Sequence, residues 1–183
     1  MKSYAQMAAV PRTEEYVGMG DTAILNTVKK MKSIIIDSSK NTYVREWAKN
    51  IMGRVEVGNK QKEAEAIFYF VRDNVRYTRD PYGFEYLQTP VVLLEDIRLY
   101  QAGKGERPNG DCDDMTMLSL SLLKSIGFRV AIKVVGFFEN KKFGHVYGLV
   151  QIGYKWIAID CIRPNQEFGW ESSGHTRVME TII

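Results

Sequence analysis

The stretch "NGDCDDMTMLSLSLLKSIGF", residues 109–128, sets a cysteine between acidic residues just where a glycine-containing loop gives way to an apolar run. Met115, Met117, Leu118, Leu120, Leu122, Leu123 and Ile126 lie on every side of a 3.6-residue period, which predicts a helix buried over most of its surface. Gly127 ends it as a C′ glycine does. Cys112, following Asn109, Gly110 and Asp111, falls at or near the first helical position. Unpaired N–H groups and the helix dipole there favour negative charge, so the position predicts a thiol more acidic than usual and a candidate nucleophile. The same amides can hold an oxyanion formed at an attacked carbonyl. The other readings of Cys112 are a small buried filler and a metal ligand.

Downstream of Gly127 the period changes to two. "FRVAIKVVGFF", "FGHVYGLVQI" and "YKWIAIDCI" read as three strands, joined by turns at 139–142 and at Gly153-Tyr154, and the tail "HTRVMETII" offers a fourth. A two-residue turn with glycine first suits a type II′ hairpin and pairs Ile152 with Lys155. In that register His145 faces Ile162 and Tyr147 faces Asp160. His145 and Asp160 then point to one side as diagonal neighbours, whereas a slip of one residue would put Asp160 on the other side. Trp156 and Tyr147 share the His145 face and are candidates to line a cleft, while Cys161 turns to the opposite face with Ile157 and Ile159. The register predicts a carboxylate orienting a histidine; it does not place Cys112 beside them. His175, the second of two histidines, follows "ESSG" with no aspartate downstream and is the weaker partner.

Upstream, three amphipathic helices are expected. Asp21 or Thr22 caps a stripe of Ile24, Val28, Met31 and Ile35; "NTYVREWAKNIMG" carries Val44, Trp47, Ala48 and Ile51; "KQKEAEAIFYFVRDNVRY" carries Ala64, Ile67, Phe68, Val71 and Val75. "TRDPYGFEYLQTP" is a loop with turn signals at Asp80-Pro81 and Gly83, "PVVLLEDIRLY" a short helix capped by Thr89, and "QAGKGERPNG" a second loop. Helices first and an antiparallel sheet second make an α+β fold. Residues 1–56 read as an arm and helical extension, and residues 57–183 as the core domain.

Bulk properties bound the function. The chain has 183 residues, enough for a sizeable core, with 45% hydrophobic and 26% charged residues, as in ordinary globular proteins. A net charge of +3, with no long run of like charges, gives nucleic-acid binding no support. No stretch reaches the roughly 18 apolar residues of a membrane span, and the N-terminus lacks a signal-peptide core. The chain reads as cytoplasmic, with its two cysteines as thiols.

"GDCDD" opening an apolar helix, then "GHVYGLV", then "YKWIAIDC", resembles the transglutaminase-like superfamily of cysteine acyl-transfer proteins. The upstream "FYFVRDNVRYTRDP" is similar to the segment that precedes the cysteine in that family, and "EYLQTP" with the second aspartate after the cysteine resembles its small phage and prophage-type members. The likeness spans roughly residues 60–161. It implies a papain-like core on which Cys112, His145 and Asp160 form a catalytic triad, with peptidase, amidase or transglutaminase chemistry.

A cysteine nucleophile of this kind wants a second oxyanion donor, and Gln88, Asn109 and Tyr77 are the candidates. Gln88 comes first, because an amide donates without titrating. Asp111, Asp113 and Asp114 invite a metal reading, but hard-ion loops spread their oxygen ligands over a longer segment, and these carboxylates suit a first helical turn. No paired CxxC motif and no phosphate loop are present, so no metal and no cofactor are expected. The favoured function is hydrolysis of a peptide or isopeptide bond in a protein substrate. For a phage-type member that substrate would be a virion or assembly protein, met in the cytoplasm of a bacterial host. The alternative is a non-enzymatic phage assembly or interaction protein on the same fold.

Overall fold

The computed structural model describes residues 13–15, 20–53, 55–56, 58–80, 85–137 and 143–183. The 139–142 turn, the Pro81 and Gly83 signals and most of the N-terminal arm lie outside the described residues. Chain order is β1 (Thr13–Glu15), α1 (Asp21–Lys40), α2 (Thr42–Met52), α3 (Lys60–Asn74), β2 (Arg76–Tyr77), β3 (Glu85–Leu87), α4 (Pro90–Gln101), β4 (Asn109–Gly110), α5 (Cys112–Ser125), β5 (Val130–Gly136), β6 (His145–Ile152), β7 (Lys155–Ile159) and β8 (Arg177–Ile182).

The four long strands form one antiparallel sheet in the order β7-β6-β5-β8. The tail therefore supplies the fourth strand, at the edge beside β5. The β6–β7 hairpin has the predicted register: Ile152 pairs with Lys155 and Gly148 with Ile159, around Gly153 at φ 60°. One face of the sheet carries Val130, Ile132, Val146, Val150 and Ile159, and α5 packs across it. α5 is buried on almost all sides, because α1, α2, α3 and α4 surround the rest of it.

The fold departs from the sequence expectation in places and adds to it in others. α1 is capped by Gly20, with no side-chain cap, rather than by Asp21 or Thr22. α1 and α2 cover α5 and share its core; they do not cover the far side of the hairpin. That far side instead buries a small cluster of Ala131, Val135, Tyr147, Leu149 and Ala158 with Phe137. The loops around α4 also contain short strands: β3 pairs with β1, and β2 runs parallel to β4. With two or three residues each they show no period to read.

The closest approach of helix to sheet is at Gly148. A Cβ added there would stand 2.6 Å from Leu120 Cδ2 and 3.0 Å from Leu120 Cγ, and Leu120 is fully buried. Gly148→Ala should therefore lower stability by about 1–3 kcal/mol in urea denaturation. Leu120→Ala alone should cost about 2–5 kcal/mol, and the double variant less than the sum, because the new methyl occupies the vacated space. Additive costs would mean that the two groups do not meet.

Candidate active site

The contact at Gly148 sets the helix and strand in step. α5 and β6 run the same way past each other: Leu120 lies on Gly148, and one turn earlier the Thr116 hydroxyl donates to the Val146 carbonyl at 3.4 Å. Four helical residues rise about 6 Å and two strand residues about 6.6 Å, so one more turn brings Cys112 level with Gly144. Cys112 does line a cleft of about 310 Å³ together with Gly144, His145 and Val146.

His145 and Asp160 meet as the hairpin register requires: Nε2 of the imidazole lies 2.7 Å from Asp160 Oδ2. Both side chains are largely enclosed, at 10% and 2% exposure. Asp160 Oδ1 also accepts the Ile162 amide at 3.5 Å. With Nε2 engaged by Asp160, Nδ1 is the ring nitrogen left to face the cleft. The Tyr147 ring packs on the imidazole, with centroids 5.5 Å apart and planes tilted by 30°. Its hydroxyl donates to Glu171 at 2.5 Å, and Glu171 is held in turn by Lys133 at 2.6 Å. Tyr147 thus backs His145 from inside the sheet and does not line the cleft.

The start of α5 is tied down by its own acids. Asp111 is the N-cap; its Oδ1 accepts the Asp113 amide at 3.0 Å and the Asp114 amide at 3.2 Å, while Asp114 Oδ2 accepts the Asp111 amide at 3.4 Å. This capping box spends the first-turn donors on a carboxylate and leaves out the Cys112 amide. The consequence reverses the sequence expectation of an acidic thiol. Burial pushes the Cys112 thiol well above its ordinary value, and the Asp113 and Asp111 carboxylates push it further, opposed by the Val146 amide. Asp113 Oδ1 also accepts a weak bond from the thiol at 3.5 Å. Ligand atoms of Asp111, Cys112 and Asp113 lie within 4.8 Å of one another, the one such group among the described residues. Asp111 is committed to capping, so the group is more economically a helix start than a metal centre.

The three oxyanion candidates separate. Gln88 donates its side-chain amide to the Asn109 carbonyl and to Asp114 Oδ2, both at 2.9 Å, so both amide hydrogens are engaged away from the cleft. Asn109 accepts from Arg76 at 2.7 Å and Thr78 at 3.3 Å and is exposed on another side. Tyr77 is in the cleft wall, close enough for Cys112 to act on it electrostatically; burial is the main reason its hydroxyl titrates above the usual range. Trp156 stands beside Gln151, six residues along β6 from His145 and 37% exposed, too far to line the cleft. His175 packs against Phe137 and Tyr147 with Ser172 on its Nε2 and does not line it either. Cys161 is buried against the Phe68 carbonyl, on the face opposite Asp160.

Two features of the cleft had no counterpart in the sequence reading. The first two turns of α1 form one wall, through Ala23, Ile24, Thr27 and Val28, and a bidentate ion pair of Asp21 with Arg177, 2.8 Å on each oxygen, fastens that end of the helix to β8. Arg79 contributes a cation to the lining.

The profile of the Transglutaminase-like superfamily matches residues 45–161, and the chain belongs to that superfamily. No curated protein matches it. Similar solved structures include a candidate cysteine protease from Cytophaga hutchinsonii (14% identity, TM-score 0.49, 92% of this chain and 60% of that one). LapG of Legionella pneumophila (16%, 0.46, 75% and 76%) is another, as is a candidate protease from Parabacteroides distasonis (11%, 0.48, 73% and 25%). The chain thus spans 60% of the Cytophaga protein's length and 25% of the Parabacteroides protein's. No helix among the described residues is long and apolar enough to cross a membrane.

Next along α5, Asp114 is 1% exposed and its pKa is pushed up to about 7, by burial, against hydrogen bonds from the Gln88 and Asp111 amides and the Gln88 side chain. A carboxyl whose folded pKa exceeds its unfolded value holds a proton that the unfolded chain has already released. Its contribution is therefore complete below about pH 4 and is lost as pH rises through about 7, by at most about 4 kcal/mol. Stability measured by urea denaturation should fall across that window. Asp114→Asn should flatten the fall, while lowering stability at about pH 5 because two donors lose their acceptor. An unchanged slope in the variant would remove Asp114 as its source.

Proposed function

We propose that this member of the transglutaminase-like superfamily is a cysteine-dependent acyl-transfer enzyme that hydrolyses peptide or isopeptide bonds. The observation that carries the reading is the enclosed His145–Asp160 pair opening onto the cleft that holds Cys112. In the resting site the thiol is neutral, so His145 works as a general base at the moment of attack rather than as half of a standing ion pair. As the Cys112 sulfur bonds to the carbonyl carbon, its proton passes to Nδ1 of His145, and Asp160 holds the imidazolium through Nε2. The Cys112 amide, left out of the cap, and the Tyr77 hydroxyl in the cleft lining are the candidate donors to the developing oxyanion. The C–N bond then breaks, and His145 returns the proton to the departing amine. Water, deprotonated by the same imidazole, releases the acyl group from sulfur.

A protein or peptide is the substrate on this reading, and the likeness to small phage-type members favours a virion or assembly protein. The competing role, an assembly or interaction module that keeps the residues without the reaction, draws on the cover that α1 places over the cleft.

The test needs no natural substrate. With p-nitrophenyl acetate, nitrophenol should be released in a burst, leaving an acetyl group on Cys112 that mass spectrometry locates. Cys112→Ala should abolish the burst, and His145→Ala should slow it by about 10²–10⁴-fold. Adding a primary amine should divert the acetyl group if transamidation competes with water. Acetylation no faster than that of a free thiol, and indifferent to His145, would leave the assembly role as the better account.

A further inference from the structure

Arg79 is an exposed cation on the Cys112 cleft, whose lining also carries the Asp111 and Asp113 carboxylates, and the acyl-transfer steps leave it unused. It comes two residues after Tyr77, whose hydroxyl its guanidinium faces across the wall. Tyr77 pairs with Gly110 in the β2–β4 ladder, two residues before Cys112, so the short parallel pair brings the segment leading to Arg79 alongside the start of α5. Other arginines have side-chain partners: Arg72 pairs with Asp73, Arg98 with Glu95 and Arg177 with Asp21, and Arg76 donates to Asn109. Among the described residues no carboxylate is within ion-pair distance of Arg79. A guanidinium offers five donors in a planar fork that fits a carboxylate two-on-two, and one phenol oxygen leaves most of them unused. Ile24 and Val28 of α1 add apolar lining to the same cleft that suits a short methylene stem.

We propose that Arg79 anchors a carboxylate on the acyl donor, so that the cleft selects acyl groups with a short apolar stem ending in an acid. The inference rests on Cys112 being the attacking residue, but its test does not depend on turnover. Iodoacetate and iodoacetamide alkylate the same thiolate by displacing iodide, one carrying a carboxylate and the other a neutral amide. At one alkaline pH, the ratio of their rates at Cys112 cancels the thiolate fraction and reads the anion preference alone.

Arg79→Gln should lower the iodoacetate-to-iodoacetamide ratio about 3- to 10-fold, as loss of one partly screened charge close to the sulfur requires. Arg79→Lys should retain most of it. Arg76→Gln, which removes an exposed arginine held on Asn109 outside the cleft, should leave it unchanged. An unaltered ratio in Arg79→Gln, or an equal fall in Arg76→Gln, would overturn the anchor. A shifted ratio without ester acylation would refute the catalytic reading and keep the anchor. Acylation with an unshifted ratio would refute the anchor alone.

Discussion

Leu120 against Gly148 is the contact on which the site depends. Only a residue without a side chain lets α5 come so near β6, and that nearness makes helix turns and strand pairs keep pace from Leu120 back to Cys112. A bulkier residue at 148 would lift the start of the helix off the strand and carry the thiol away from His145. The second requirement is the hairpin register, which holds His145 and Asp160 on one side of the sheet. Neither constraint depends on the chemistry of Cys112, His145 or Asp160. Both are packing conditions, met by apolar side chains and one glycine in a core that would be buried whatever its chemistry.

The site also shows how a helix start can work against the thiolate it seems built to favour. The dipole offers partial positive charge, roughly half a unit, at the first turn. Here a full negative charge at Asp111 takes up the amides that would express it, and Asp113 adds another beside the sulfur. Burial, the largest of the causes, acts in the same direction. The outcome is a thiol whose pKa is raised, not lowered, within a cleft whose α1 wall is fastened by one exposed ion pair. The acids build the helix start, and His145, the base of the proposed reaction, is held by Asp160 and backed by the Tyr147–Glu171–Lys133 chain.

Much of this was legible in the sequence, for identifiable reasons. A two-residue turn with glycine first leaves one sensible register, so the meeting of His145 and Asp160 could be read from residue spacing. The all-round apolarity of residues 115–126 announced a buried helix. The thiol's direction was not legible, because Asp111 reads equally as a neighbour of the cysteine and as a cap, and only coordinates show where its oxygen bonds. Gln88 looked like a free amide because a chain pattern cannot show that Asn109 and Asp114 occupy it. β2 and β4 are too short to carry a period, and they are what bring Tyr77 and Arg79 to the cleft. The role of α1 as a wall was hidden too, since its stripe records that it is buried but not against what.

The most direct test is the rate of Cys112 alkylation by iodoacetamide from about pH 5 to 10, followed by mass spectrometry with glutathione in the same tube as an ordinary thiol. The account predicts a single titration displaced above the unperturbed cysteine value of about 8.5, moving down in Asp113→Asn as one opposing charge is removed. A reactive shoulder at about pH 5–7 that disappears in His145→Ala would contradict it, because it would reveal a thiolate–imidazolium pair already formed in the resting site.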